Sequence, residues 1–227
     1  SLDLLDDVVS ACSEPFADYS MFPTLLITRL ARQEMTVMLS GDGGDELFWG
    51  YTGRMGTAIQ SANLFKLPFW LRKLRWWMLH RPGEWNTRYF ATAGEFYQSR
   101  HMRNFDGWLA PIFPTLPSWP KDYHLYSYNR SDQDRTAQWV RWNEFNGHLS
   151  QVLLKVDRAS MYNSLEVRVP LLDREVIETA WRIDWKSCLD MPSGEGKIPL
   201  RRSLQRHVTQ VTSGKRGFSV PMADWLR

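Results

Sequence analysis

The chain has 227 residues, 43% of them hydrophobic and 23% charged, which is ordinary for one or two globular domains with a real core. Its formal net charge of +3 is too mild for the concentrated basic face of a nucleic-acid binder. Cys12 and Cys188, the two cysteines, cannot build a disulfide framework and read as reduced thiols of a cytoplasmic protein; no apolar run reaches membrane-spanning length and no signal peptide opens the chain.

Leu2, Leu5, Val8 and Val9 recur at helical spacing, so the chain is expected to open in a helix. A second helix is expected over Leu25, Leu26, Leu30 and Ala31, ending near Arg32. Met35 to Leu39 is a short apolar run followed by glycines, the pattern of a buried strand in a parallel sheet. The stretch Ser40 to Glu46 reads as a loop, and Leu47 to Tyr51 as the opening of a helix. From about Ser61 to Asp134, six prolines (Pro68, Pro82, Pro111, Pro114, Pro117 and Pro120) break the chain into short helices and loops. Within it, Phe65 to His80 is aromatic and basic, with Lys66, Arg72, Lys73 and Arg75. It reads either as an amphipathic segment that rests on a membrane or partner, or as a basic helix snorkelling over a core; the second arrangement is the commoner on soluble helices. A continuous helix there starts after Pro68. The 12 tryptophans, most of them between Trp49 and Trp185, read as large aromatic plugs in a helical core.

Trp139 to Leu165 is the clearest helical stretch. Leu149, Val152, Leu153 and Val156 mark one face, and Lys155 and Arg158 are neighbours on another. Glu166 to Pro170 reads as extended, because a residue before proline avoids the helical region. Asp173 is placed to cap a following helix whose apolar face is Val176, Ile177 and Ala180. A last helix is expected over Lys197 to Val208, and Lys215 to Val220 is a loop.

The strand–loop–helix around residues 35 to 51 carries the chemistry. Gly41, Gly43 and Gly44 permit close backbone approach to a ligand and positive φ, and exposed N–H groups in such a loop suit phosphate. Asp42, Asp45 and Glu46 would repel bare phosphate. The conflict disappears if Mg²⁺ lies between, since one or two carboxylates plus phosphate oxygens form its usual shell. A purely structural acidic turn fits the local residues equally well. Neither Gly196-Lys197 nor Gly214-Lys215 satisfies the Walker pattern. The five histidines lack metal spacing, and neither cysteine has a nucleophile signature.

Four ordered segments share one resemblance. Ser40 to Tyr51 (SGDGGDELFWGY) closely resembles the second nucleotide and pyrophosphate motif of asparagine synthetases. Lys155 to Met161 (KVDRASM), with Ser164 to Asp173 (SLEVRVPLLD), resembles the next signature of that family, and Gly196 to Arg201 (GKIPLR) and Lys215 to Pro221 (KRGFSVP) resemble the last two. The resemblance runs from about residue 1 to the end and is loosest in the aromatic middle.

What the resemblance implies is concrete. The fold is α/β and mostly helical in this stretch, the C-terminal part of a PP-loop ATP pyrophosphatase-like domain with a partial parallel sheet. Residues 1–60 would hold the remainder of the nucleotide-binding core, 61–135 an aromatic-rich helical insertion and 136–227 the helical C-terminal part. ATP, with Mg²⁺, adenylates a carboxylate (aspartate or an analogue); pyrophosphate leaves; ammonia from a glutaminase domain outside these residues attacks the acyl-adenylate. Ser40, Gly41, Gly43 and Gly44 would contact the nucleotide and Arg158 phosphate or substrate. Asp45 would hold the Mg²⁺–pyrophosphate, Asp42 would lie close to the activated substrate, and Tyr51 would close the motif. Lys215, assisted by Lys197, would neutralise the leaving pyrophosphate. Glu166 and Arg168 read as a buried pair that shapes the site. Asp42 departs from the glutamate usual there, which leaves the acceptor open between asparagine biosynthesis and amidotransfer in a polysaccharide or secondary-metabolite pathway. The family's first motif, a serine-glycine-glycine run ending in aspartate-serine, is not among these residues, so the chain by itself is expected to bind ATP weakly. A homodimer is compatible with the full-length family. The competing reading is a non-catalytic scaffold or binding fragment derived from it.

Overall fold

The computed structural model describes residues 4–79, 90–101, 115, 124–208 and 220. These fold into two compact units.

The first unit comprises the described residues of Ser1–Gly44, His148–Arg182 and Arg201–Arg227. Helix α1 (Leu5–Cys12) and helix α2 (Met21–Arg32) both pack against the long helix Leu149–Tyr162, numbered α8 below. Their shared core is Ala11, Cys12, Met21, Leu25 and Ala159, flanked by Val8 and Phe16. Small residues continue the expected stripe of α8 at its C-terminal end. Ala159 and Ser160 are buried, and the Thr28 hydroxyl donates to the Ala159 carbonyl at 3.1 Å. Of the expected stripe Leu149, Val152, Leu153 and Val156, Leu149 alone is fully buried. Strand β1 (Val37–Leu39) pairs in parallel with β2 (Glu166–Arg168), Val37 opposite Glu166 and Leu39 opposite Arg168. The expected strand is therefore present and parallel, but it is not buried: Val37 is 40% and Leu39 66% exposed. Among the described residues β1 has a single neighbouring strand, and a parallel strand is buried only when both its faces are covered. After β2, Asp173 caps helix α9 (Arg174–Arg182) through Glu175 N–H at 2.9 Å. Helix α10 (Ile198–Gln205) follows Lys197 directly.

The second unit comprises the described residues of Asp45–Gly147 and Ile183–Leu200. A single helical turn, α3 (Gly44–Leu47), opens earlier than expected, and the chain breaks at Trp49, whose φ is +53°, before α4 (Thr52–Ser61) begins. Helix α4 packs on α6 (Ala93–His101) and α7 (Gln133–Asn143). Asp132 caps α7 by accepting from Arg135 N–H at 2.8 Å. The clearest helical stretch is thus two helices, α7 and α8, joined by a π turn at Glu144–His148. Trp49 and Trp185 are the buried plugs that the tryptophan content predicts, whereas Trp70, Trp77 and Trp142 are exposed. Two of these, Trp70 and Trp77, lie on α5 (Phe69–Leu79), which starts right after Pro68 but does not snorkel, since its Arg72 is buried. Among the described residues no helix is long and apolar enough to cross a membrane. Both cysteines are free and buried, and burial pushes the Cys188 thiol up to about 11, which makes it a poor nucleophile.

Candidate functional site

In the first unit the glycine loop follows β1. Ser40 continues the β ladder, its N–H donating to the Arg168 carbonyl at 2.9 Å, while its hydroxyl donates to Asp42 Oδ2 at 2.8 Å. The Gly44 N–H returns to the Gly41 carbonyl at 3.3 Å and closes the turn. Gly43 has φ +85°, and a Cβ there would collide with the side chain of Leu172; it is glycine for conformation and for packing against the protein. Gly41 is exposed, and no atom lies within 4 Å of where its Cβ would stand, so a ligand can reach its backbone. Of the three glycines expected to supply positive φ, Gly43 alone does so.

In the second unit Asp45 has a cationic partner. Lys197 Nζ lies 2.9 Å from Asp45 Oδ2, and both side chains are partly exposed. Lys197 reaches that position from a left-handed backbone, φ +57°, which costs a non-glycine residue about 1 kcal/mol or more. Its N–H donates to the Phe48 carbonyl at 2.9 Å, tying the Gly196-Lys197 corner to the turn after α3. Gly50 lies under the pair: a Cβ there would strike Asp45 and Lys197 at once.

A polar network runs from Glu46 to Glu144, both buried. Glu46 is 1% exposed and accepts from the Tyr51 hydroxyl at 2.7 Å. Burial pushes its carboxyl above the ordinary value, with the Tyr51 hydrogen bond opposing. Burial likewise raises the Tyr51 phenol, helped by Glu46. Tyr51 therefore serves Glu46, and its ring supports Arg54, whose guanidinium lies 3.9 Å from the ring centre. Arg54 in turn grips the fully buried Glu144 with both Nε and Nη2. Glu144 also accepts from the Tyr97 hydroxyl and, at 3.0 Å, from His101 Nε2. His101 Nδ1 is 3.0 Å from the Tyr126 hydroxyl, so the tautomer that satisfies both contacts carries its proton on Nε2. Burial works against the Glu144 charge, but His101 and Arg54 outweigh it and hold the carboxyl at about 2.

Several expected residues lie elsewhere. Arg158, on α8, reaches Glu14 Oε1 across 4.0 Å, and Lys155 is pinned by Asp18 Oδ2 at 3.2 Å and Ser20 Oγ at 2.7 Å. Glu166 and Arg168 do pair, at 2.7 Å, but at 54% and 66% side-chain exposure they are not the expected buried pair; two positions apart on a strand, they share one open face. Lys215 lies outside the described residues. Sequence reasoning missed Arg54 and Glu144. Arg54 follows Tyr51 by three residues, the spacing of neighbours on one helix face, and that signal was readable. Its carboxylate partner is 90 residues away and left no local mark.

The chain is matched across residues 1–227 by the family model described as asparagine synthase. The chain belongs to the asparagine synthase family. It is 27% identical over 241 residues to Bacillus subtilis asparagine synthetase (glutamine-hydrolyzing) 1, covering 98% of this chain and 37% of that protein. To a Mycobacterium tuberculosis protein that carries the same enzyme name provisionally it is 28% identical over 249 residues, covering 98% and 35%. A 70-residue stretch is 44% identical to a Methanocaldococcus jannaschii protein, likewise provisionally named asparagine synthetase (glutamine-hydrolyzing) 2, covering 31% of this chain and 13% of that one. The chain spans about a third of the length of the first two relatives. No solved structure matches it. Among the described residues of this asparagine synthase family chain, no three His, Cys, Asp or Glu side chains group as a metal site. Asp45 therefore fits a metal only as one carboxylate beside phosphate oxygens, which is how Mg²⁺ is usually held.

Proposed function

We propose that this chain is part of an ATP-dependent, amide-forming ligase of the PP-loop type, which activates a carboxylate by adenylation and passes it to ammonia. The observation that carries the reading is the Asp45–Lys197 pair. A lysine in a strained backbone conformation, set 2.9 Å from the acid of a glycine loop, belongs where negative charge must be handled. In this reading the backbone of Ser40, Gly41, Gly43 and Gly44 holds the nucleotide, with Gly41 the most accessible. Asp42, oriented by the Ser40 hydroxyl, faces the carboxylate substrate, aspartate or an analogue. Asp45 would hold Mg²⁺, which would supply positive charge to the pyrophosphate oxygens. Lys197 and Lys215 balance the charge that grows on that leaving group, each worth on the order of a hundredfold in rate. Tyr51 acts from behind by fixing Glu46, and Arg158 is the farthest extension of the phosphate-contacting set. Residues 1–60 form the nucleotide-binding core, 61–135 an insertion and 136–227 the helical remainder. The amide made is asparagine or that of a polysaccharide or secondary-metabolite precursor, with ammonia from a glutaminase domain.

The chemistry balances: a carboxylate oxygen attacks the α-phosphorus, pyrophosphate departs, ammonia attacks the acyl carbon, and AMP leaves with that oxygen. The test is carboxylate-dependent ATP–pyrophosphate exchange by the full-length protein, with Lys197→Ala and Lys215→Ala alongside. Exchange that needs one carboxylate and falls about a hundredfold or more in each variant is the expected result. A folded protein, supplied with Mg²⁺, that exchanges with no carboxylate supports the non-catalytic scaffold instead.

A further inference from the structure

Helix α5 buries one of its arginines and exposes two of its tryptophans, Trp70 and Trp77. Arg72 is 5% exposed. Its Nη2 donates to the carbonyls of Phe90 and Ala91, both at 3.0 Å, and its guanidinium lies 4.4 Å from the centre of the Phe65 ring. This anchorage fixes the rotation of the helix. At about 100° per residue, Trp70, Leu74, Trp77 and Met78 then fall on the side away from Arg72, where they are 64%, 43%, 67% and 59% exposed. Lys73, about 100° round the helix from Arg72, is exposed at the edge of this stripe, and Lys66, in the turn before Pro68, is exposed as well. From Ala62 to Leu79 the chain contains no Asp or Glu.

We propose that α5 docks the protein on an anionic lipid surface, with Trp70, Leu74, Trp77 and Met78 at the headgroup–acyl boundary and Lys66 and Lys73 on the lipid phosphates. Tryptophan, apolar in body with a polar N–H, is the side chain that settles at that boundary, and a Trp/Leu face flanked by lysines is the composition of interfacial helices. The 11-residue helix is about 16 Å long, too short to span a bilayer and suited to lying on one. Charge decides for lipid over a second copy of the chain. A two-fold contact through this face would set like cations near each other, with no carboxylate on the segment to answer them. The inference is independent of the ligase reading.

Sedimentation of the full chain with vesicles of phosphatidylcholine alone, or mixed with phosphatidylglycerol, tests it. Binding is expected to the anionic vesicles only and to weaken as salt rises. Lys66→Gln with Lys73→Gln should weaken it about 25-fold, roughly fivefold per cation. Trp70→Ala with Trp77→Ala should abolish saturable binding with secondary structure intact by circular dichroism. In the unaltered protein, amide hydrogen exchange across residues 69–79 should slow when vesicles are added, a readout that needs no variant. Failure to bind anionic vesicles, binding undiminished in both double variants, or unchanged exchange across α5 in the vesicle-bound protein would each overturn the proposal. Self-association without lipid that disappears in the tryptophan variant would assign the face to a second copy and overturn it too.

Discussion

Two turns of the second unit each bury a glutamate, and the two side chains are held in opposite ways. Glu46, in the single turn after the glycine loop, and Glu144, in the π turn after α7, are 1% and 0% exposed. Desolvation disfavours the charge of both. Glu46 has the Tyr51 hydroxyl as its side-chain donor, and its pKa is raised. Glu144 has Arg54, His101 and Tyr97, and its pKa is lowered to about 2. Burial alone does not decide the state of a carboxyl; the number and charge of the donors around it do. The consequence is a graded support for the loop: Glu144 fixes Arg54, Arg54 backs the Tyr51 ring, and Tyr51 fixes Glu46 one residue beyond Asp45.

The sharpest way to break this contrast is to remove the cation from Glu144. Arg54→Met leaves a carboxylate without its main partner in a fully buried position, and should cost about 3–5 kcal/mol, a drop in Tm of roughly 10 °C by thermal unfolding. A loss below about 1 kcal/mol would mean that His101 and Tyr97 suffice. Acid offers a milder test. A folded pKa depressed from 4.5 to about 2 means that the stabilisation from Glu144 is complete above about pH 4.5 and is lost as pH falls from there toward 2. Chemical denaturation across that window should show declining stability, and the decline should be shallower in Glu144→Gln, whose side chain no longer titrates. The smallest effect belongs to Glu46. Because its ionisation is disfavoured by burial, Glu46→Gln should leave Tm at pH 7 unchanged or slightly raised; a drop comparable to that of Arg54→Met would show the two glutamates to be equivalent after all.

Local chemistry was readable from the chain, and long-range pairing was not. Met35 to Leu39 announced a strand and its parallel habit, Asp173 its cap, and Pro68 the start of α5. Each depends on neighbours within a few residues. The stretch SGDGGDE stood out as a candidate ligand loop because its glycines and acids are contiguous. The pairing of Lys197 with Asp45 left no local mark, since the two are far apart in the chain, and the resemblance alone put both near the pyrophosphate. The inward side of α8 was legible from Leu149, Val152, Leu153 and Val156, since the buried Ala159 and Ser160 continue that same face, where their smallness lets α2 come close. Helix α5 departs from the commoner of its two readings: Arg72, held by two carbonyls and a ring, is buried, and Trp70 and Trp77 are exposed.

The central claim, adenylation of a carboxylate followed by amide formation, is tested most directly by following oxygen. The full-length protein is given ATP, Mg²⁺, ammonia and a carboxylate substrate labelled with heavy oxygen in its carboxyl group. The account predicts heavy oxygen in AMP, one atom for each amide formed, because the carboxylate oxygen that attacked the α-phosphorus leaves with it. Heavy oxygen in inorganic phosphate, with ADP as the nucleotide product, would contradict it.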